Sequence, residues 1–281
     1  MNVEAFRENL ELMSYSGFKL KELEADLIEN SLIILQSSNK LQNIFFFGRI
    51  ETTSEENSYY YIAFGYTCDI FKDQKFFYSL NGFEWVMMPE MKPKLLPITL
   101  QSRSLLTGDP INVEHVCMMP TFIADTENVF RACPKKPKKL KEEDRLACIV
   151  HLLMTESAIM PRSLLYRQVT RCISYNPSFA GLNRMEANEM KNFQLFRYPK
   201  NNRNYNLSKH DDFNYQTDFF DTIDDLVPRN CFSFQIKDRD ICLIRALHWP
   251  GMIFVHKLNT KYQGFFYFGN GRKNLDLLFM T

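Results

Sequence analysis

The sequence predicts an α+β fold in which antiparallel β hairpins and a C-terminal meander pack with several helices into a single interwoven domain. Three observations carry this expectation. Phe232, Phe234 and Ile236 alternate with Ser233, Gln235 and Lys237, the pattern of a strand with one buried and one wet face. Residues 252–255 and 265–268 are apolar at every position, so those strands need cover on both faces, from helices of this chain or from another protein. Strand-like runs come first, helical runs lie between, and strands return at the end, which is the order of an α+β protein.

The elements follow in chain order. Residues 18–37 read as an amphipathic helix, because Leu20, Leu23, Leu27, Ile34 and Leu35 recur at helical spacing with charged residues mostly opposite. Residues 44–50 and 59–64 are apolar and aromatic runs separated by a polar stretch, which predicts a hairpin with a long loop. Residues 76–80 predict a third strand, and Asn81-Gly82 a turn before 83–86. Prolines recur from 89 to 120 and the periodicity fades, so irregular structure is expected there. Residues 141–156 predict a helix with Leu146, Ile149, Val150 and Leu153 as its apolar stripe. Glu142, Glu143 and Asp144 occupy its first turn, where negative charge suits the helix dipole. Further helices are expected over 183–193, with Asn183 as cap, and over 217–227, ended by Pro228. The meander comprises 231–237, 241–247, 252–256 and 264–268.

Composition narrows the function classes. The 281 residues carry 34 basic and 33 acidic side chains, a net charge of +1. That is a poor electrostatic footprint for a nucleic-acid binder. Gly is sparse, at 10 residues, which argues against phosphate-cradling loops. The seven cysteines are scattered without a Cys-x-x-Cys spacing and follow no signal-peptide pattern, so a reduced, intracellular, soluble protein is expected. No apolar run approaches the roughly 18 residues of a membrane span.

The order of short motifs resembles the radial spoke head protein 9 family, subunits of the spoke heads inside motile cilia and flagella. Near the C-terminus the resemblance rests on Trp249-Pro-Gly251, Asn259-Thr-Lys-Tyr262 and Gly269-x-Gly-x-Lys-Asn-x-Asp276. Phe47-Gly-Arg-Ile50, Tyr60-Tyr-Ile-Ala63, Tyr78-Ser-Leu-Asn81 and Glu84-Trp85 agree in the same order. So do Gly108-Asp-Pro110, Lys141-Glu-Glu-Asp-Arg-Leu146 and Ile159-Met-Pro-Arg162. The match departs at the basic cluster 135–141 and at the Asn-rich stretch after Pro199. The resemblance implies a non-enzymatic subunit in the axoneme of a cilium or flagellum. It also implies larger paralogous head subunits and a MORN-repeat subunit as partners, and contact with the central pair.

Candidate interface residues are Tyr59, Tyr61, Trp249, Phe254, Phe265, Tyr267 and Phe268. Each reads two ways, as core covered by the chain's own helices or as an anchor on a partner, where aromatic hot spots are worth about 2–4 kcal/mol each. Trp249-Pro-Gly251 predicts a rigid corner between strands, since the residue before Pro is pushed out of the α region and Gly follows freely. Lys135, Lys136, Lys138 and Lys139 lie in a Pro/Lys stretch that reads as a solvated linker over 133–141, or as a nuclear import signal in an adaptor protein. Such a linker would join lobes 1–132 and 142–281 if the chain were not one domain.

No metal, cofactor or catalytic residue is expected. The five histidines form no His-Glu-x-x-His pattern. Cys231, Cys242, His248 and His256 are the material for an unfamiliar Cys/His site only if the fold gathers them around a polar cleft. The acidic run from Asp211 to Asp225 lacks the Gly of a calcium loop, which leaves an exposed helix face. Gly269-Asn-Gly271 lacks the third Gly of a dinucleotide site and is expected to be a hairpin turn.

Overall fold

A computed structural model describes residues 1–116, 121–124, 130–133, 137–200, 214, 216–226 and 229–277. Helix α1 spans Phe6–Ser14 and α2 spans Glu22–Ser38. Strands β1 (Asn43–Glu51), β2 (Tyr59–Tyr66), β3 (Lys75–Ser79) and β4 (Val86–Met87) follow. A 3-10 turn, Pro93–Leu95, leads into α3 (Leu96–Gln101). Next come β5 (Val113–Val116), β6 (Thr121–Ala124), β7 (Phe130–Cys133), β8 (Lys138–Lys141) and the long α4 (Glu142–Ser157). Short strands β9 (Ile159–Pro161), β10 (Leu165–Arg167) and β11 (Ile173–Tyr175), a single turn α5 (Arg184–Ala187) and β12 (Phe193–Leu195) lead to the meander. The meander is β13 (Phe232–Lys237), β14 (Ile241–Ala246), β15 (Met252–Lys257) and β16 (Gln263–Gly269).

The meander and the N-terminal hairpins form one eight-stranded sheet in the order β13-β14-β15-β16-β1-β2-β3-β4. Its neighbours run antiparallel except β1 and β16, which pair parallel with Gly48 opposite Tyr267. Residues alternate between two cores. Phe45, Phe47, Tyr60, Ile62, Phe254 and Tyr267 join Leu146, Val150 and Leu153 of α4. Phe46, Ala63, Ile253, Val255, Phe266 and Phe268 join Phe6 of α1 and Ile28 and Leu32 of α2. The strands that are apolar on both faces are therefore covered by this chain's own helices.

Gly48 marks the joint between the two halves of the sheet. The β1–β2 register shifts between Phe46 and Gly48. Gly48 sits at φ 140°, and the Tyr267 backbone occupies the space a Cβ would need. Only Gly lets β1 bulge and still lie flush against β16.

Several expectations are corrected. The helix expected over 183–193 stops at Ala187 after one capped turn, with Asn183 Oδ1 accepting from Glu186 N at 2.9 Å. Asn192 then donates to Glu186 O, and Phe193–Leu195 pairs with β9 instead. The helix expected over 217–227 is a set of turns and a 3-10 turn, Ile223–Asp225. Two ion pairs hold that segment, Arg162 to Asp218 at 2.6 Å, partly exposed, and the more buried Arg197 to Asp221 at 2.9 Å. Asp218 and Asp221 are thus structural partners and not an exposed acidic face, while Asp211 and Asp212 lie outside the described residues. Lys138–Lys141, expected as solvated linker, is a strand paired with β5. Leu140 is buried with Ile98 and Val116, and Lys138 and Lys139 are exposed. Residues 134–136, with Lys135 and Lys136, lie outside the described residues. Residues 269–271 turn the chain into irregular structure and not into another strand.

Replacing Gly48 by Ala tests the joint. We expect a loss of about 3 kcal/mol or more, measured by urea unfolding of the purified chain. A loss below about 1 kcal/mol would mean that β1 shifts freely against β16.

Candidate functional site

Helix α4 is the element on which the motifs converge. Its N-cap, Lys141, contributes no side-chain cap, so the helix needs other acceptors for its first N–H groups. The 107–112 loop supplies them: Glu142 N donates to Asn112 O at 2.8 Å and Glu143 N to Pro110 O at 3.2 Å. Glu142 answers in the opposite direction. Glu142 is buried, only 5% exposed. It accepts from Thr107 N at 2.9 Å, Thr107 Oγ1 at 2.6 Å, Gly108 N at 2.8 Å and Tyr60 Oη at 2.9 Å. One buried carboxylate therefore ties the sheet, the loop and the helix together, with charge-assisted hydrogen bonds on each side. Burial raises the Tyr60 hydroxyl, and the Glu142 charge adds to it. Burial likewise pushes Tyr78, which donates to Glu143 at 3.2 Å, to about 12.

A second clasp closes the other end of α4. Trp249 Nε1 donates to Glu156 Oε2 at 2.8 Å, and Lys273 pairs with the same oxygen at 2.8 Å. His248 Nε2 lies 3.2 Å from Glu156 O. Arg197 Nη1 donates to Thr155 O at 2.7 Å, a cation at a helix C-terminus. Trp249 is fully buried, and Met252 N closes the expected corner on Trp249 O at 3.0 Å. Gly251 turns there at φ 97°.

Five of the seven aromatic interface candidates belong to these internal structures. Trp249, Phe254, Phe265, Tyr267 and Phe268 are all buried within the chain. They are core because α4 covers one side of the sheet and α1 and α2 the other. Only Tyr59 and Tyr61 retain partial exposure. Arg49 stacks 4.1 Å from the Tyr59 ring centroid, and Tyr61 donates to Glu24 at 2.9 Å. Sequence reasoning missed the apolar surface next to them. Leu23, Leu27 and Ile34 of α2 are exposed, at 84%, 41% and 62%. Positions 27, 31 and 34 share one side of the helix, where Ser31 accepts from Trp85 Nε1 and donates to Gly82 O, both at 2.9 Å. The β3–β4 turn thus lies against that side and adds exposed Phe83. Leu23, Leu27 and Ile34 entered the sequence pattern as part of the apolar face of an amphipathic helix; helical spacing locates them, but only the packing shows that they face outward.

The four Cys and His residues separate into two buried pairs. Cys242 and His256 are opposite one another on β14 and β15. His256 is wedged, with Nε2 accepting from Leu182 N at 3.1 Å and Nδ1 lying 3.0 Å from Tyr262 O. Burial moves His256 down to about 4 and the Cys242 thiol up to about 12. A thiolate nucleophile with a basic imidazole requires the opposite shifts. Cys231 meets His248 through its backbone carbonyl, 3.4 Å from Nδ1. Among the described residues, no group of three His, Cys, Asp or Glu is placed to hold a metal, and no helix is long and apolar enough to cross a membrane.

The convergence is informative about kinship. Motifs 60–63, 108–110, 141–146, 249–251 and 269–276 meet on α4 although they are scattered along the chain. The chain is 30% identical over 282 residues to the radial spoke head protein 9 homolog of Bos taurus, covering both chains fully. It belongs to the radial spoke head protein 9 family. The homologs of Mus musculus and Danio rerio are 30% and 28% identical, again over the full length of both chains. No protein-family model matches it. In this radial spoke head protein 9 family member, five of the motifs that carry the resemblance come together at the two clasps.

Glu142→Ala removes an acceptor shared by four donors. We expect a loss of about 3 kcal/mol by urea unfolding, with Glu142→Gln recovering part of it. His256 gives a pH dependence. Its pKa falls on folding, so the unfolded chain binds the extra proton and stability is lost as pH drops from 6.5 toward 4. The full loss is about 3 kcal/mol, and buried His248, also lowered, works in the same direction. Urea midpoints compared at neutral and acid pH should fall, and His256→Gln should flatten the slope.

Proposed function

We propose that this chain is a structural, non-catalytic subunit of the radial spoke head in the axoneme of a cilium or flagellum. The observation that carries the reading is the end-to-end similarity to radial spoke head protein 9 homologs. The architecture supports it. A sheet covered on both faces, with its covering helix fastened at each end, makes a stiff body. The β1–β16 pairing joins residues from both sides of the basic stretch, which favours one interwoven domain over two lobes.

In this reading the subunit buttresses larger paralogous head subunits beside a MORN-repeat subunit and helps pass central-pair signals to the dynein arms. Its neighbours meet the exposed rim of Leu23, Leu27, Ile34 and Phe83, with Tyr59 and Tyr61 at its border. The buried aromatics set the shape behind that rim. Truncating such exposed apolar anchors costs an interface far more than it costs the fold.

The test is made in ciliated cells that express the chain. Disrupting the gene should remove the spoke head from isolated axonemes and impair beating, and the wild-type chain should restore both. A Leu27→Asp, Ile34→Asp double variant should keep its thermal midpoint yet fail to enter the axoneme. Complete spoke heads and normal beating without the chain would overturn the reading.

A further inference from the structure

We propose that the hollow between α3, one side of α4 and the segment after β16 is a docking site for an acidic peptide segment of another protein. Its volume is about 380 Å³, within the ordinary range for a ligand site and far larger than one phosphate ion needs. Four cationic side chains line it, Arg103, Arg145, Arg272 and Lys273, against one acidic side chain, Asp276. The whole chain has a net charge of only +1, so this concentration is local.

The four cations are not equivalent. Lys273 is engaged by Glu156 in the clasp. Arg145 is fixed in the wall with 5% of its side chain exposed, and Glu114 is its ionic partner at 3.1 Å. Its Nη2 donates to Ser104 O at 2.6 Å, and its Nε is buried with no partner. Burial works against the Arg145 charge, and the like charge of Arg272 adds to that effect. Arg103 and Arg272 are exposed, and among the described residues neither side chain has an ion pair. Two free guanidinium groups thus face a hollow whose wall already holds a buried third. An incoming carboxylate would relieve their mutual repulsion and accept their paired N–H groups.

The rest of the lining selects a peptide. Leu100, Leu152 and Trp249 contribute apolar wall, and Leu275 is exposed at 58%. An acidic segment that also carries a leucine-like side chain satisfies both surfaces. Nucleic acid is the poorer fit, because two free guanidinium groups neutralise few phosphates. The site also gives a role to Arg272, within the 269–276 motif, which neither clasp uses.

Fluorescence anisotropy on the full chain tests the proposal, with a short labelled Glu/Leu peptide and the same peptide carrying Gln for Glu. The Glu peptide should bind and weaken with added salt, and the Gln peptide should bind at least about tenfold more weakly. Arg103→Gln with Arg272→Gln should weaken the Glu peptide about tenfold at an unchanged thermal midpoint. Arg272→Lys, which keeps the charge and loses the fork, should fall between and serves as the reading if the double variant unfolds. Equal binding of both peptides, undiminished binding by the variants, or displacement of the peptide by an RNA oligonucleotide at lower concentration overturns it. Because this is read on the isolated chain, its failure leaves the assembly reading standing, and failure of assembly leaves the pocket standing.

Discussion

The structure depends on burial of one sheet from both sides. A sheet with one wet face can alternate apolar and polar residues, but β15, β16 and β1 have no wet face. They are committed to a sandwich of helices, with α4 on one side and α1 and α2 on the other. That commitment raises the cost of misplacing any helix, since whole rows of Phe and Tyr would meet water. The clasps at the two ends of α4 answer the demand. They fix the helix by hydrogen bonds with definite directions, where apolar packing alone would tolerate sliding.

Much of the sheet was legible because its strands are long and their periodicity is clean. The first helix of the strong pattern, α2, and the α4 stripe were legible for the same reason. The errors fall where local pattern and tertiary contact disagree. Phe219, Phe220 and Ile223 have helical spacing, yet Arg162 and Arg197 claim Asp218 and Asp221 beside them and hold the chain in turns. α1 was missed because buried Asn9 interrupts its apolar face, and α3 because Pro97 stands in its first turn, where proline does no harm.

The candidate site was legible as a set of motifs and opaque as an arrangement. Glu142 looked like one more acidic residue in a helix's first turn, and nothing in its neighbours along the chain announces Tyr60 or Gly108. The interface residues show the converse error. Aromatic strands invite a partner when their second face is unaccounted for, and part of the cover came from α1, a helix that was not expected, beside the expected α2. Exposed apolar side chains sit instead on α2, at Leu23, Leu27 and Ile34, with Phe83 beside them.

The parallel contact between β1 and β16 also constrains how the molecule is made. Gly48 and Tyr267 are separated by about two hundred residues, so the first hairpin emerges from the ribosome long before its neighbour exists. Through that interval β1 has an open hydrogen-bonding edge and bare phenylalanines, an invitation to strands of other chains. Closing so distant a pair is slow, because the loop must be ordered before the contact repays it. The β1 edge that meets β16 therefore stays unpaired until almost the whole chain has been made.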